Sequence, residues 1–409
     1  MRIRRGPWGG APSLLLAGLA LSGCVGSGDD KGWVATYDTL ESGVPRVTYQ
    51  PPSDDAVAST FTEELRLGAM EGDGPAVFGR IKGLQVLPNG RIAVLDAMAR
   101  EIRIFDPDGR HLATHGRQGE GPGEFQEPFG LMQDAAGRLW VPDFRAARMS
   151  EFDLTEGFIG SFGWKVLRYG FMWDGAMTEG DRILEPSITL EQPRRNILRV
   201  YDGTGLVDSL PLPDDPPVDR TDPPGAYYWE APGGRAMGFV RIPGFPFGSR
   251  VFDREGAIWS TDHGDYGYRV KHWQPGGDTL LVLEVRRAPI VIPASERDSV
   301  IAALRAELQE RGAANQDWSK VPQQRAAVAS LFVSEEGHLW VESQRSPGTT
   351  VFDRYSPDGA YLGSVAGDLG LVSGIRPITR GDQLWAVVRD DLDVQYVVRF
   401  RLTTAPPAP

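Results

Sequence analysis

Four acidic residues are the first candidates for chemistry, because each directly follows a short apolar run of strand length. They are Asp96, Asp143, Asp262 and Glu342. Carboxylates gathered from several parts of a chain can bind calcium, which takes six or more oxygen ligands, and a bound metal can support a hydrolase or a lyase. In the alternative interpretation, which we favour, these acids accept backbone hydrogen bonds or pair with nearby arginines. Those arginines are Arg100, Arg145, Arg148 and Arg345.

Histidine chemistry has little support in this sequence. Of the five histidines, His263 lies in a loop, within Thr261-Asp-His-Gly-Asp-Tyr266, that could face a ligand. A Ser-His-Asp mechanism also needs a nucleophile held beside the base, and no Gly-x-Ser-x-Gly turn accompanies His263. We therefore interpret His263 as a polar loop residue and assign no catalytic residue.

Cys24 is the single cysteine of the chain, which excludes an intramolecular disulfide. It follows a basic start, an apolar stretch from Leu14 to Leu21 and two small residues, Ser22 and Gly23. This order predicts a secretory signal peptide over 1–23, and the residues before Cys24 resemble a lipobox. The resemblance implies a lipid-anchored envelope protein, acylated at Cys24, on the outer-membrane or periplasmic side. The alternative is an ordinary signal peptide with a chance cysteine.

Composition limits the fold and the partners. The formal charge is −12, and no Lys/Arg run follows the N-terminus, which argues against a nucleic-acid partner. The 50 glycines, 32 prolines and 11 tryptophans favour many short strands joined by turns over long helices.

A short unit, a glycine turn followed by an apolar strand, occurs six times. Its glycines are Gly90, Gly137, Gly180, Gly256, Gly337 and Gly381, which are 47, 43, 76, 81 and 44 residues apart. Three spacings fit one four-stranded unit each, and the two long ones contain insertions. Because one such sheet cannot bury both faces alone, the repeat predicts an all-β, six-bladed β-propeller, in which each blade is a meander of four strands, A to D.

The predicted domain covers 61–409, after a flexible tether over 24–32 and an N-terminal extension over 33–60. The last repeat has no room for a strand D before the chain ends. The segment at about 61–68 has the pattern of a strand D, so we expect it to pair with the C-terminal strand and close the ring. Such a closed ring is expected to be a monomer.

The second repeat carries a recognisable signature. Gly119-Glu-Gly-Pro-Gly-Glu-Phe125, Pro128, Gly137-Arg-Leu-Trp-Val-Pro-Asp143 and Arg148 resemble NHL repeats. The layout over roughly 61–402 resembles bacterial six-bladed β-propeller lipoproteins that carry such repeats, although the third repeat lacks the acid after strand B. The resemblance implies that the B–C and D–A connections share one face of the disc, and that the acid is present without a metal.

Both insertions fall in D–A connections, at about 213–248 and 287–327. The first contains the aromatic run Tyr227-Tyr228-Trp229. The second predicts a helix that is capped by Ser295 and ended by Gly312, with Val300, Ile301, Leu304 and Leu308 on one face. We expect the two insertions to rise side by side over one face, with the helix packing on the propeller.

Three functions remain open from the sequence. The first is an envelope-anchored binding module for a protein, a peptide or a glycan, without a cofactor. The second is a metal-dependent hydrolase or lyase that uses channel carboxylates, with calcium as the candidate metal. The third is a structural role in an envelope assembly. We prefer the first, with a candidate binding face formed by Asp96, Asp143, Arg145, Arg148, Asp262, His263, Glu342, Arg345, Tyr227, Tyr228 and Trp229.

Overall fold

The computed structural model describes residues 32–52, 57, 59–164, 173–214, 219, 221–230, 234, 237–313, 316–346 and 348–404. The expected signal peptide and Cys24 lie outside these residues, as does the tether except for Gly32. The described chain folds as a β-propeller.

Three strands precede the first complete blade: β1 (Val34–Thr39), β2 (Pro45–Gln50) and β3 (Ser59–Leu67). The first two blades are β4 (Ile81–Val86), β5 (Ile92–Asp96), β6 (Glu101–Phe105) and β7 (His111–His115), then β8 (Met132–Gln133), β9 (Leu139–Asp143), β10 (Arg148–Asp153) and β11 (Gly157–Gly163). The third is β12 (Ala176–Met177), β13 (Ile183–Ile188), β14 (Asn196–Asp202) and β15 (Gly205–Pro211).

An inserted hairpin, β16 (Ala226–Glu230) and β17 (Met237–Arg241), leads to the fourth blade. That blade is β18 (Arg250–Phe252), β19 (Ile258–Ser260), β20 (Tyr268–Trp273) and β21 (Thr279–Val285). Helix α1 (Ala294–Glu310) and a 3-10 turn (Trp318–Lys320) follow. The fifth blade is β22 (Val328–Val333), β23 (Leu339–Ser346), β24 (Thr349–Tyr355) and β25 (Tyr361–Ala366); the sixth begins with β26 (Ile378–Arg380), β27 (Gln383–Arg389) and β28 (Gln395–Thr404). The predicted fold class, six four-stranded blades with one helical insertion, is confirmed.

The repeated glycine marks the A–B turn. Gly90 and Gly137 have φ of 80° and 82°, a left-handed backbone that glycine adopts without strain. The strand after each turn is strand B of its blade, and every residue of β5 and β9 is buried. These strands are covered on both faces because neighbouring blades pack against them, so the apolar clusters lie between blades.

The outermost strand of the sixth blade comes from the other end of the chain. β3 pairs antiparallel with β28, from Val397 opposite Leu67 to Thr404 opposite Ser59. This is the segment that the sequence led us to expect at 61–68. It also touches the fifth blade, since Val365 of β25 pairs with Ser59 in parallel.

The N-terminal extension adds two strands to the fourth blade. β2 lies parallel to β21, and β1 forms the outer edge. Trp33 stacks on Tyr361 of the fifth blade, with ring centroids 4.0 Å apart, and the Tyr49 hydroxyl donates to the Gly359 carbonyl at 2.8 Å. The extension therefore joins the fourth and fifth blades at the rim.

The two insertions share one small core of their own. Leu304 and Leu308 of α1, with the partly buried Val300 and Ile301, pack against Tyr227, Val240 and Ile242 of the first insertion. The predicted apolar helix face is confirmed, but its partner is the other insertion, whereas we expected the propeller. The expected Ser295 cap is wrong: α1 begins at Ala294 after Pro293, and no side chain caps it.

Candidate functional site

Asp96 lies at the end of β5 and is 1% exposed. Its carboxylate accepts hydrogen bonds at 2.8–3.2 Å from the amides of Gly79, Arg80, Met98 and Ala99. This side chain holds the B–C turn against the connection that enters the blade. Because four amides use the carboxylate, it is turned into the protein and away from the face.

Asp143 repeats this arrangement in the second blade. It is fully buried and accepts from the amides of Gln126, Glu127 and Ala146 at 2.8–3.0 Å. Arg148 of the same blade donates to the carbonyls of Gly121 and Glu124 at 2.7 and 2.6 Å. Asp143 and Arg148, the NHL-like acid and arginine, thus hold the backbone of the connection that enters the second blade.

Asp262 and Glu342, the other two acids, have side-chain partners. Asp262 pairs with Lys271 at 2.6 Å. Glu342 accepts from the Ser330 hydroxyl at 2.5 Å, and burial raises its pKa, with a smaller contribution in the same direction from Asp368. None of the four acids is among the residues that line the described part of the central channel.

The remaining arginines of the predicted face differ in their environment. Arg345 pairs with the fully buried Asp353 at 2.8 Å and also hydrogen-bonds Ser364. Asp353 accepts from Tyr268 as well, at 3.0 Å, so Arg345 belongs to a buried network of the fourth and fifth blades. Arg145 is exposed in the B–C turn of the second blade.

His263 and the aromatic run belong to the insertion side. His263 is exposed and lies with its ring centroid 5.1 Å from that of Phe245 and 5.8 Å from that of Phe247. Tyr227 is 1% exposed, and its hydroxyl donates to the Asp317 carbonyl at 2.9 Å. The run is therefore split: Tyr227 holds the insertions together, and the aromatic wall near His263 is formed by the two phenylalanines.

A cleft of about 610 Å³ opens between the insertions and the fifth blade. Phe245, Phe247, Val300 and Val321 are apolar residues of its wall. The polar groups of its wall include Arg241, Asp265, Glu296, Arg297, Arg325 and Gln344. Ser373 also lines the cleft while its neighbour Gly374 lines the central channel, so the cleft adjoins the channel mouth.

The central channel, of about 590 Å³, is lined by the innermost segments of all six blades. At its A–B turn end, each blade is tied to the next. Arg254 pairs with Glu179 at 2.6 Å, and Arg380 pairs with Glu335 at 2.6 Å. The other ties are Ala135 N to Asp181, Arg254 to the Glu335 carbonyl, Arg380 to the Leu87 carbonyl and Gln85 to the Leu131 carbonyl.

Two basic side chains lie at the opposite end of the channel. Lys82 and Arg376 line it, and Asp174 accepts from Arg250 at 2.9 Å and, through its carbonyl, from Arg376 at 3.3 Å. Burial lowers the pKa of Lys82 and of Arg376. For Arg376, Asp174 opposes this lowering and Arg250 adds to it.

The described residues contain no group of three or more His, Cys, Asp or Glu side chains placed to hold a metal ion. Within the same residues, none of the helical segments combines the length and the apolar character that a membrane-spanning helix needs.

Sequence analysis missed the charged residues of the channel. Glu179 and Arg380 stand immediately before a repeat glycine, and Arg254 and Glu335 stand two residues before one. This position was a usable signal, because A–B turns of all blades meet around the axis. Lys82 and Arg376 have no such marker.

The first part of the propeller matches a family model described as DUF5128, a six-bladed β-propeller, over residues 70–172. That match covers a quarter of the chain. No curated protein matches the chain.

Solved structures resemble the whole ring. A member of the DUF4221 family from Bacteroides vulgatus is 13% identical with a TM-score of 0.52, covering 85% of this chain and 99% of its own. A protein described as exported, from Bacteroides fragilis, is 11% identical with a TM-score of 0.48, covering 88% and 100%. Virginiamycin B lyase from Staphylococcus aureus is 12% identical with a TM-score of 0.42, covering 84% and 100%. At these identities the likeness shows the fold alone.

Proposed function

We propose that this protein is an envelope-anchored binding module that holds a protein, peptide or glycan ligand in the cleft between its two insertions. The observation that carries the proposal is the shared core of the insertions. Two connections that are far apart in the chain pack on each other through Leu308, Tyr227 and Val240, all at most 4% exposed. Because this core fixes the two insertions relative to each other, the wall of the cleft is preorganised. Preorganisation lowers the conformational entropy that is lost on binding.

The composition of the wall suits recognition. Apolar rings supply contact area, and a few fixed polar groups supply orientation. Phe247 is 38% exposed, and the Arg241 guanidinium lies 4.9 Å from the centre of its ring. Arg297 is held by the carbonyls of Val321 and Trp318, and Arg325 by Glu296, so the charged part of the wall is also fixed.

The test is a comparison of ligand selection by two phenylalanine variants. The full-length protein, Phe247→Ser and Phe239→Ser are each applied to a random peptide library and to a glycan array. Phe239 is a matched control, because it is 55% exposed on the same insertion and is not part of the cleft wall. We expect wild type and Phe239→Ser to select the same ligands and Phe247→Ser to lose them. If all three proteins select the same ligands, the cleft is not the binding site and the proposal is wrong.

Anchoring is proposed from the order of residues before Cys24. Cys24→Ser should abolish incorporation of labelled palmitate and release the protein from the membrane fraction. Incorporation that persists in the variant would overturn the anchor.

A further inference from the structure

We propose that the ligand of the insertion cleft is a peptide segment that carries a carboxylate beside an apolar side chain. The carboxylate binds to the guanidinium of Arg241, and the apolar side chain packs on Phe245 and Phe247. This inference rests on the proposed function, because it names the ligand of the same cleft and selects a peptide over a glycan.

Arg241 has a fixed place in the wall of the cleft. It is the last residue of β17 and lies opposite Ala226 of β16. Its two chain neighbours, Val240 and Ile242, are 4% and 1% exposed and belong to the core of the insertions. Because successive side chains of an extended chain point in opposite directions, burial of these two neighbours leaves Arg241 exposed.

The three arginines of the wall differ in their hydrogen bonds. They are Arg241, Arg297 and Arg325. Arg297 donates to two backbone carbonyls, and Arg325 pairs with Glu296 at 2.7 Å. The guanidinium of Arg241 lies 4.9 Å from the centre of the Phe247 ring, and none of the described residues accepts a hydrogen bond from it. Arg241 is therefore the arginine of the wall whose donors are available to a ligand.

The contact with Phe247 prepares Arg241 for a carboxylate. The ring attracts the cation but leaves the N–H donors of the guanidinium free. Two of those donors can bind the two oxygens of one carboxylate, and such charge-assisted bonds are stronger than bonds between neutral groups. An apolar side chain beside the carboxylate then meets Phe247, which is 38% exposed, and Phe245, whose ring centroid lies 5.1 Å from that of Phe247.

The rest of the wall favours a peptide over a glycan. Phe245, Val300 and Val321 make much of it apolar. Its two carboxylates are already engaged, Glu296 in an ion pair and Asp265 by a backbone amide. A glycan carries many hydroxyl groups, and each one that is taken out of water without a partner costs free energy. A short peptide segment has apolar side chains that match the wall, and it suits the volume of about 610 Å³.

The test is selection by the full-length protein from two libraries of short random peptides. One library ends in a free carboxylate and the other in an amide. We expect the selected peptides to carry a carboxylate next to an apolar residue. Enrichment of Asp or Glu in both libraries assigns the carboxylate to a side chain, whereas selection from the first library alone assigns it to the chain terminus.

Substitutions of Arg241 test its role with the best selected peptide. Arg241→Gln should weaken binding at least about tenfold in calorimetric titration, as expected for the loss of a charge-assisted hydrogen bond. Arg241→Glu should change the selection from acidic to basic peptides, a result that a structural role of Arg241 would not produce.

Arg305→Gln is the matched control. Arg305 is an exposed arginine of α1 that lies 5.3 Å from the centre of the Trp318 ring and is not part of the cleft wall. This variant should bind the peptide as wild type does.

The inference and the proposed function fail in different ways. If wild type selects peptides without a preference for a carboxylate, or selects glycans alone, the inference is wrong and the proposed function stands. The inference is also wrong if Arg241→Gln binds the selected peptide as tightly as wild type. If wild type selects neither peptides nor glycans, or if Phe247→Ser retains every ligand, the proposed function is wrong and the inference with it.

Discussion

The two ends of the central channel are built differently. At the A–B turn end, short turns bring opposite charges together between blades, as Arg380 and Glu335 show. At the other end, two long D–A connections form a separate structure with its own apolar core, and the channel wall carries Lys82 and Arg376. The first end uses its polar groups to hold the ring together, and the second leaves polar and aromatic groups around open volume. Stability and recognition are therefore expected to respond to different substitutions.

The largest effect should come from Leu308→Ala, in the core of the insertions. Leu308 is fully buried, and such a truncation costs about 2–5 kcal/mol. Because this core is separate from the clusters between blades, the loss should appear as local opening of α1. Amide exchange in α1 should accelerate while the thermal midpoint of the ring stays nearly constant. An equal fall in the midpoint of the whole chain would show that insertions and ring unfold as one unit.

A smaller but global effect is expected from Arg380→Ala. Its guanidinium bonds Glu335 of the fifth blade and the carbonyls of Val86 and Leu87 of the first. Losing hydrogen bonds to a charged group typically costs about 1.5–3 kcal/mol. Urea denaturation should show this loss with an unchanged affinity for ligands of the cleft.

Arg389→Ala is the matched control in the same blade. Arg389 pairs with the exposed Asp393, and exposed pairs contribute at most about 1 kcal/mol. Equal destabilisation by the two variants would contradict a special role for the A–B turn contacts.

The smallest effect concerns pH and Glu342, on the insertion side. Its pKa is raised in the folded protein, mainly by burial, so the folded state binds this proton more tightly than the unfolded state. Its contribution to stability is therefore fully present below the unfolded value near 4.5 and is lost as pH rises through the folded value. Glu342→Gln should reduce this dependence and raise stability slightly at pH 7, measured by denaturation at several pH values. A variant whose pH profile matches wild type would show that this carboxyl does not titrate abnormally.

Much of the ring could be predicted because its signals are local. Gly90 and Gly137 mark turns that need a left-handed backbone, and the apolar runs after them predict strand B. The periodicity of Val300, Leu304 and Leu308 likewise predicted the buried face of α1. The acids after strand B were also visible, and the structural interpretation that we favoured agrees with the amide contacts of Asp96 and Asp143.

The candidate sites were harder to predict from the sequence. Sequence analysis named Tyr227 as part of a binding face, but its burial depends on α1, which lies far away in the chain. The channel cations come from three different blades, and only closure of the ring brings them around one cavity.

The sequence by itself thus determined the repeat, its turns and the blade count, since these follow from backbone preferences and from apolar residues that are close in the chain. Only the tertiary structure decided which distant side chains meet: those of the insertion cleft, and the partners that pair between blades around the channel. Contacts between blades join residues separated by tens to hundreds of positions, and no local pattern encodes the charge that such distant residues share.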